Sequence, residues 1–574
     1  MQRGNPIENV CSMVEDDKYK KHGNPGWLQS SADLACATPQ GRFVCDEAYE
    51  TSQRHVRFNV NELGRLAAEA IGATSCISIR KYPDGMYNKS LLLIMDNGSE
   101  VVAKVPNPNA GTPHFTTASE VATMDFTRNV LRNPVPRVLA WSSRAQENLV
   151  GAEYIIMEKV PGVELERVWP SMSIKDRFAL TKTIAGFQKA WASISFKKYG
   201  SLYYAKDLGH PATNQALYVD ANGLEVINNT FAVGRSTGRE SNDNRRSTIN
   251  FDRGPCKKIL FNRASLTNKI RANFGRISLC NRSPRNSLCQ PTPSFAQVSD
   301  NTLRPRNLPT NKGQKLKALH CYLELIRFLL PTDQTISSAH LWHGDLHVAN
   351  IFVNPSEPTE IVGLIDWQST EISPLYFHAR QPHILDYDGP SISGLDRPKL
   401  PKDLEKLGVE AKKDAETLYL QQSLCSLYNT LTHAQNPRLY AALEFQKTAS
   451  YLLLLLARNL LVDGEASYLL QVANLEATWD TLPRTQGSAW PFSFSARELQ
   501  AIEADVEGAA RGMEAMRKVR DSLGELFPEQ GIVKVGHYEE SLAALTRMKN
   551  KIIEEFANTE QERELWQKTW PFES

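Results

Sequence analysis

The sequence predicts an α+β chain of two unequal lobes, a small antiparallel-sheet lobe followed by a large helical one. Three observations carry this. Short apolar runs parted by turn sequences crowd residues 75–160, helical periodicity dominates from residue 173 onward, and one dense polar motif at 341–366 coincides with a brief return to strand. The 574 residues are 41% hydrophobic and 23% charged, ordinary globular values that exclude collagen-like, wholly disordered and membrane-bundle classes. Lys and Arg number 66 against 64 Asp and Glu, a net charge of +2, so the chain-wide balance gives no reason to expect a nucleic-acid or acidic-membrane partner.

Residues 1–55 read as a disordered leader without the apolar core of a secretory signal, and Glu15, Asp16 and Asp17 suit a mitochondrial presequence badly. The first lobe, 56–160, opens on a helix at 61–72, where Leu63, Leu66, Ala67, Ala70 and Ile71 recur at helical spacing. Residues 75–82, 88–95 and 100–105 follow as a three-stranded meander, its turns written as Pro83-Asp84-Gly85 and Asp96-Asn97-Gly98. A helix at 117–131 and two strands, 137–141 and 153–160, complete the lobe, which ends at Pro161-Gly162.

The second lobe, 161–558, is expected to hold helices at 173–195, 315–330, 401–434, 438–463, 496–526 and 538–558. Strands return only in a hairpin of 351–353 with 361–365, and residues 559–574 read as a C-terminal tail. Between Arg253 and Leu316 thirteen basic residues face the single acid Asp300, among Ser, Asn and Pro with faint periodicity. That stretch reads as an irregular insert; contact with RNA or anionic lipid is expected, if anywhere, only there. Nine cysteines at irregular spacing, with no C-x-x-C pair, fit packing roles better than a disulfide framework or zinc site. The apolar run from Tyr451 to Val462 falls short of the roughly 20 residues of a membrane span.

The informative run is Leu341-Trp342-His343-Gly344-Asp345-Leu346-His347-Val348-Ala349-Asn350-Ile351-Phe352-Val353, with Leu364-Ile365-Asp366-Trp367 after it. Phosphoryl transfer needs a carboxylate at the attacking hydroxyl and oxygen ligands that hold magnesium against phosphates. Asp345 fits the first role, and Asn350 with Asp366 the second, because the hairpin between them returns the chain. His343 and His347 are expected to orient the loop rather than to transfer protons. Upstream, Lys104 interrupts the apolar strand Val101-Val102-Ala103-Lys104-Val105; buried alone it would cost several kcal/mol, so it needs a partner, and Glu120 on the following helix is the natural one. The turn that contains Gly85 and leads to Asn88 has backbone N–H groups able to cover phosphates, and the backbone of Glu158 to Val160 stands where a hinge could take adenine.

Together, H-G-D-L-H-V-A-N-I-F-V with L-I-D-W, the V-A-K strand and I-I-M-E-K-V-P-G resemble the aminoglycoside phosphotransferase and choline-kinase group of protein-kinase-like enzymes. Residues 82–106, 153–169 and 365–390 resemble a fungal, mitochondrial branch of that group. The resemblance implies a protein-kinase-like two-lobed fold, ATP and Mg2+ as cofactors, Asp345 as catalytic base, Asn350 and Asp366 as metal ligands, and Lys104 as phosphate anchor. It further implies a small hydroxylated acceptor and a mitochondrial location. The basic stretch departs from the group's helical pattern where acceptor contacts are expected. The competing reading is a nucleotide-binding scaffold without turnover.

Overall fold

The computed structural model describes residues 41–83, 85–209, 215–242, 252–256, 312–460 and 464–573. Its first lobe is a five-stranded antiparallel sheet: β1 (Cys76–Lys81), β2 (Asn88–Met95), β3 (Glu100–Pro106), β4 (Val138–Ser142) and β5 (Tyr154–Glu158), in the order β1-β2-β3-β5-β4. The two-residue period of β3 turns Val101, Ala103 and Val105 into one core with Leu91, Leu93 and Ile156, roofed by the helix Val60–Ile71. Asn59 caps that helix, accepting from the Glu62 N–H at 3.1 Å. Lys104 therefore emerges on the opposite face of the central strand, flanked by Ser90 and Ile155.

On that face lies the helix Phe115–Asn129, buried along almost its whole length. Its N-terminus is held by the half-buried Glu153 carboxylate, which accepts the His114 N–H at 2.7 Å. This fixes the turn of the helix that carries Glu120.

The second lobe is mainly helical around one large apolar core. It also holds strands that the sequence reading missed: Ser195–Phe196, Ser201–Tyr204, Ala216–Val219, Phe231–Gly234, Ala339–Leu341 and Ile372–Pro374. The hairpin Ile351–Asn354 with Glu357–Leu364 is present, and a third strand, Val163–Glu164, adds to it directly after the inter-lobe connection. The apolar segment expected as one helix over 438–463 is two, Pro437–Phe445 and Ala449–Ala457, because Thr448 starts a new helix by accepting from the Tyr451 N–H.

The termini correct two expectations. Residues 41–54, placed in a disordered leader, form a strand, Gly41–Phe43, and a helix, Glu47–Arg54. Residues 560–569, placed in a tail, are helical. Both belong to a third core: Gly41–Phe43 pairs antiparallel with Ile532–Lys534, and Val44, Cys45, Trp570 and Phe572 are buried with Val519, Leu545 and Ile552 of the last long helices. Four apolar side chains from the chain's two ends thus close one core, which explains the order there. Residues 1–40 and 257–311, including most of the basic stretch, lie outside the described residues. Among the described residues, no helix is long and apolar enough to cross a membrane.

Candidate active site

Lys104 is 6% exposed and meets two carboxylates, Glu120 Oε1 at 2.6 Å and Asp366 Oδ1 at 2.8 Å. Burial opposes its charge, but Asp366 and Glu120 outweigh that, and the ammonium pKa stands above its ordinary value. Glu120 is 2% exposed, and there burial wins: its pKa is raised despite Lys104. Asp366 shows the opposite balance, with burial overcome by Lys104 and its pKa lowered. One ammonium thus ties the sheet lobe's helix to the helical lobe's acid.

Asp366 is placed by its backbone. It takes a left-handed conformation, φ 61°, which Asp tolerates better than most residues. Just before it, the Ile365 N–H donates to the Asn350 carbonyl at 3.1 Å, and the Ile365 carbonyl accepts from His343 Nε2 at 2.9 Å. His343 Nδ1 then accepts the Asp345 N–H at 3.2 Å. The buried ring is neutral, with burial pushing its pKa down, and it locks the loop as expected. Beneath it Trp342, Trp367 and Trp191 pack edge to face, with Trp191 centroids 5.2 Å and 5.8 Å from the other two. The tryptophans beside His343 and Asp366 are therefore the floor on which both loop ends rest.

Asp345 and Asn350 follow from this frame. The Asn350 Nδ2 donates to the Asp345 carbonyl at 2.9 Å, so its Oδ1 faces away from the loop backbone. The Asp345 carboxylate is 65% exposed. His347 Nε2 lies 3.6 Å from its Oδ2, and this neighbour is the chief reason the Asp345 pKa is held below its ordinary value. An amide oxygen at Asn350 and a carboxylate at Asp366 are hard ligands of the kind Mg2+ takes alongside waters and phosphates, so these residues fit that ion. Among the described residues no group of three or more His, Cys, Asp or Glu is gathered as a metal site.

The remaining expected residues divide. Asn88 lies at the cleft and its side chain is bonded to Gln368. Gly85 is described, and a Cβ there would meet only ordinary contact with the Asn88 carbonyl, so nothing in its packing requires glycine. The Glu158 N–H donates to the Arg137 carbonyl at 3.0 Å, and its carboxylate pairs with Arg137. Val160 packs so closely on Gly363 that a Cβ there would come within 2.3 Å of it. Gly162, at φ 112°, lets the chain pass the Val353 carbonyl, which a Cβ would approach to 2.3 Å. The stretch 160–162 is thus pressed onto both strands of the hairpin Ile351–Asn354 with Glu357–Leu364. Arg239, Gln368 and Asn107 were missed. Asn107 could have been found as an Asn-Pro turn residue; its Nδ2 donates to the Met86 carbonyl at 2.9 Å. Nothing in the unpatterned sequence around Arg239 marks it.

Residues 293–377 match the phosphotransferase enzyme family. A subtelomeric hrmA-associated cluster protein of Aspergillus fumigatus is 28% identical over 510 residues, covering 87% of this chain and 97% of that protein. Altered inheritance of mitochondria protein 9, mitochondrial, of Candida tropicalis is 30% identical over 199 residues, 33% of this chain and 32% of that protein. An ADP-bound aminoglycoside phosphotransferase structure shares 12% identity at a TM-score of 0.30, covering 70% of this chain and 98% of that one. The segment that carries Asp345, Asn350 and Asp366 is therefore similar to the phosphotransferase enzyme family, and part of the chain is similar to altered inheritance of mitochondria protein 9.

Proposed function

We propose that this protein is an ATP- and Mg2+-dependent phosphotransferase that moves the terminal phosphoryl group to a hydroxyl of a small molecule, in mitochondria. The observation that carries the reading is Lys104 bridging Glu120 and Asp366, with the exposed carboxylate of Asp345 on the loop that Asn350 closes. Asp345 orients the acceptor hydroxyl and takes its proton as the oxygen attacks the terminal phosphorus; the bond from that phosphorus to the bridging oxygen breaks, and the diphosphate leaves. Asn350 Oδ1 and Asp366 would hold the metal, which supplies positive charge against the phosphates. Lys104 steadies those phosphates from the sheet lobe, Glu120 keeps its ammonium in place, and catalysis rests on positioning and electrostatics.

A scaffold that only bound nucleotide would have no use for an exposed, ionised carboxylate at residue 345. The mitochondrial location is supported by the name of the relative from Candida tropicalis. The test is a screen of hydroxylated metabolites for acceptor-dependent ATP consumption. Turnover that falls by about 10²–10⁴-fold in Asp345→Asn is the expected result; equal turnover in the variant would remove Asp345 from the role of base.

A further inference from the structure

Three side chains outside the catalytic motif meet across the cleft. Asn88, at the start of β2 and 9% exposed, faces Gln368, two residues beyond Asp366. Their amides are reciprocally bonded: Asn88 Nδ2 donates to Gln368 Oε1 at 3.1 Å and Gln368 Nε2 donates to Asn88 Oδ1 at 3.0 Å. Arg239, on the short helix Arg239–Asn242, donates from Nη2 to the same Gln368 Oε1 at 3.0 Å. A guanidinium can only donate, so this bond fixes which end of Gln368 is oxygen, and with it the orientation of Asn88.

Arg239 reaches further into the sheet lobe. Its guanidinium lies 3.4 Å over the Tyr87 ring, and Nη1 is 3.4 Å and 3.3 Å from the carbonyls of Asn109 and Ala110. The turn before Asn88 is held from behind as well, because the Asn107 N–H donates to the Tyr87 carbonyl at 2.9 Å and its side-chain Nδ2 donates to the Met86 carbonyl. The positive charge of Arg239 also bears on both carboxylates of the Lys104 cluster, lowering the pKa of Glu120 and of Asp366 after larger contributions from burial and Lys104. The clasp therefore stands at the same cleft as the ion triad and joins the same two lobes, by groups that no turnover chemistry requires.

We propose that Arg239, Gln368 and Asn88 form an inter-lobe clasp that holds the turn at residues 85–88 against the Asp366 segment, and that as positioning residues they give the site its preference for a nucleoside polyphosphate over a nucleoside. This rests on the nucleotide reading above. The turn can cover phosphates only if its height above Asp366 is fixed, and two amide bonds plus a stacked guanidinium fix it without touching the nucleoside. Lysine at 239 keeps the charge but neither stacks nor forks in the same way.

The test is calorimetric binding of Mg-ATP and of adenosine to the full chain and to Asn88→Ala, Gln368→Ala, the double variant and Arg239→Lys, with amide hydrogen exchange on each nucleotide-free protein. Each single variant should weaken Mg-ATP about tenfold and leave adenosine unchanged. The double variant should lose no more than Gln368→Ala alone, because that change already removes the Asn88–Gln368 pair. Gln368→Ala should also speed exchange at residues 86–88 in the other lobe. Equal losses for adenosine and Mg-ATP, additive losses in the double variant, or unaltered exchange at 86–88 would each overturn the clasp. Failure of the parent chain to bind either ligand would instead overturn the nucleotide reading, and hydrogen exchange in the same samples would still decide whether the clasp ties the lobes.

Discussion

The two halves of the candidate site are built in opposite ways. The triad of Lys104, Glu120 and Asp366 is packed between lobes, with the lysine and glutamate almost wholly enclosed and their charges balanced against one another. The loop that bears Asp345 rests on a tryptophan floor but leaves its carboxylate largely in solvent. Enclosure makes the triad a part of the fold as well as of the site, because a buried charge stripped of its partner is costly. Exposure makes Asp345 separable from the fold, so chemistry and stability are expected to fail independently on one side of the cleft and together on the other.

The largest break in that contrast is Lys104→Met, which leaves Glu120 enclosed without its cation. Unfolding in denaturant should show a loss of about 3–5 kcal/mol; a loss near zero would mean that the triad is not coupled to the fold. Gly162→Val adds a Cβ that would approach the Val353 carbonyl to 2.3 Å at a φ of 112°, and should lower stability by about 2–3 kcal/mol, since the link between the lobes and the hairpin Ile351–Leu364 must shift.

A buried histidine sharpens the same contrast through pH. His340 is fully enclosed, and burial pushes its pKa down to about 4 from an ordinary value near 6.5. The folded state prefers the neutral ring, so its contribution is complete above pH 6.5 and is lost as pH falls toward 4. Between pH 7.5 and pH 5 His340 alone should therefore remove about 2 kcal/mol of stability, and His340→Phe should flatten that part of the profile. The smallest expected change in stability is for Asp345→Asn, within about 0.5 kcal/mol, in a variant that has lost turnover; a large destabilisation there would erase the contrast.

What the sequence made legible follows the range of the interactions. The meander of β1 to β3 announced itself through period-two alternation and turn residues, and the Lys104–Glu120 pair through the cost of burying a lone ammonium. Asp366 could be joined to Asn350 because a short hairpin separates them. The strand Gly41–Phe43 was invisible: three residues long, it is ordered by Ile532–Lys534 at the far end of the chain. Ser201–Tyr204 and Phe231–Gly234 are likewise four-residue strands that pair with each other across a long connection. Thr448 starts a second helix within the segment read as one, in the polar stretch Gln446-Lys447-Thr448. The second bond of Lys104, to Asp366, and the clasp through Arg239 both cross between lobes, and no local pattern encodes such a contact.

The most direct measurement is thermal unfolding of the full chain with ATP, in magnesium and again in chelator. At free nucleotide near 100 times its dissociation constant, magnesium samples should gain about 2.7 kcal/mol of stability. Chelated samples should gain clearly less, and Asp366→Ala should abolish the difference between the two. A gain of equal size with and without magnesium, or none at millimolar nucleotide, would contradict a metal-assisted phosphotransfer site built on Lys104, Asn350 and Asp366.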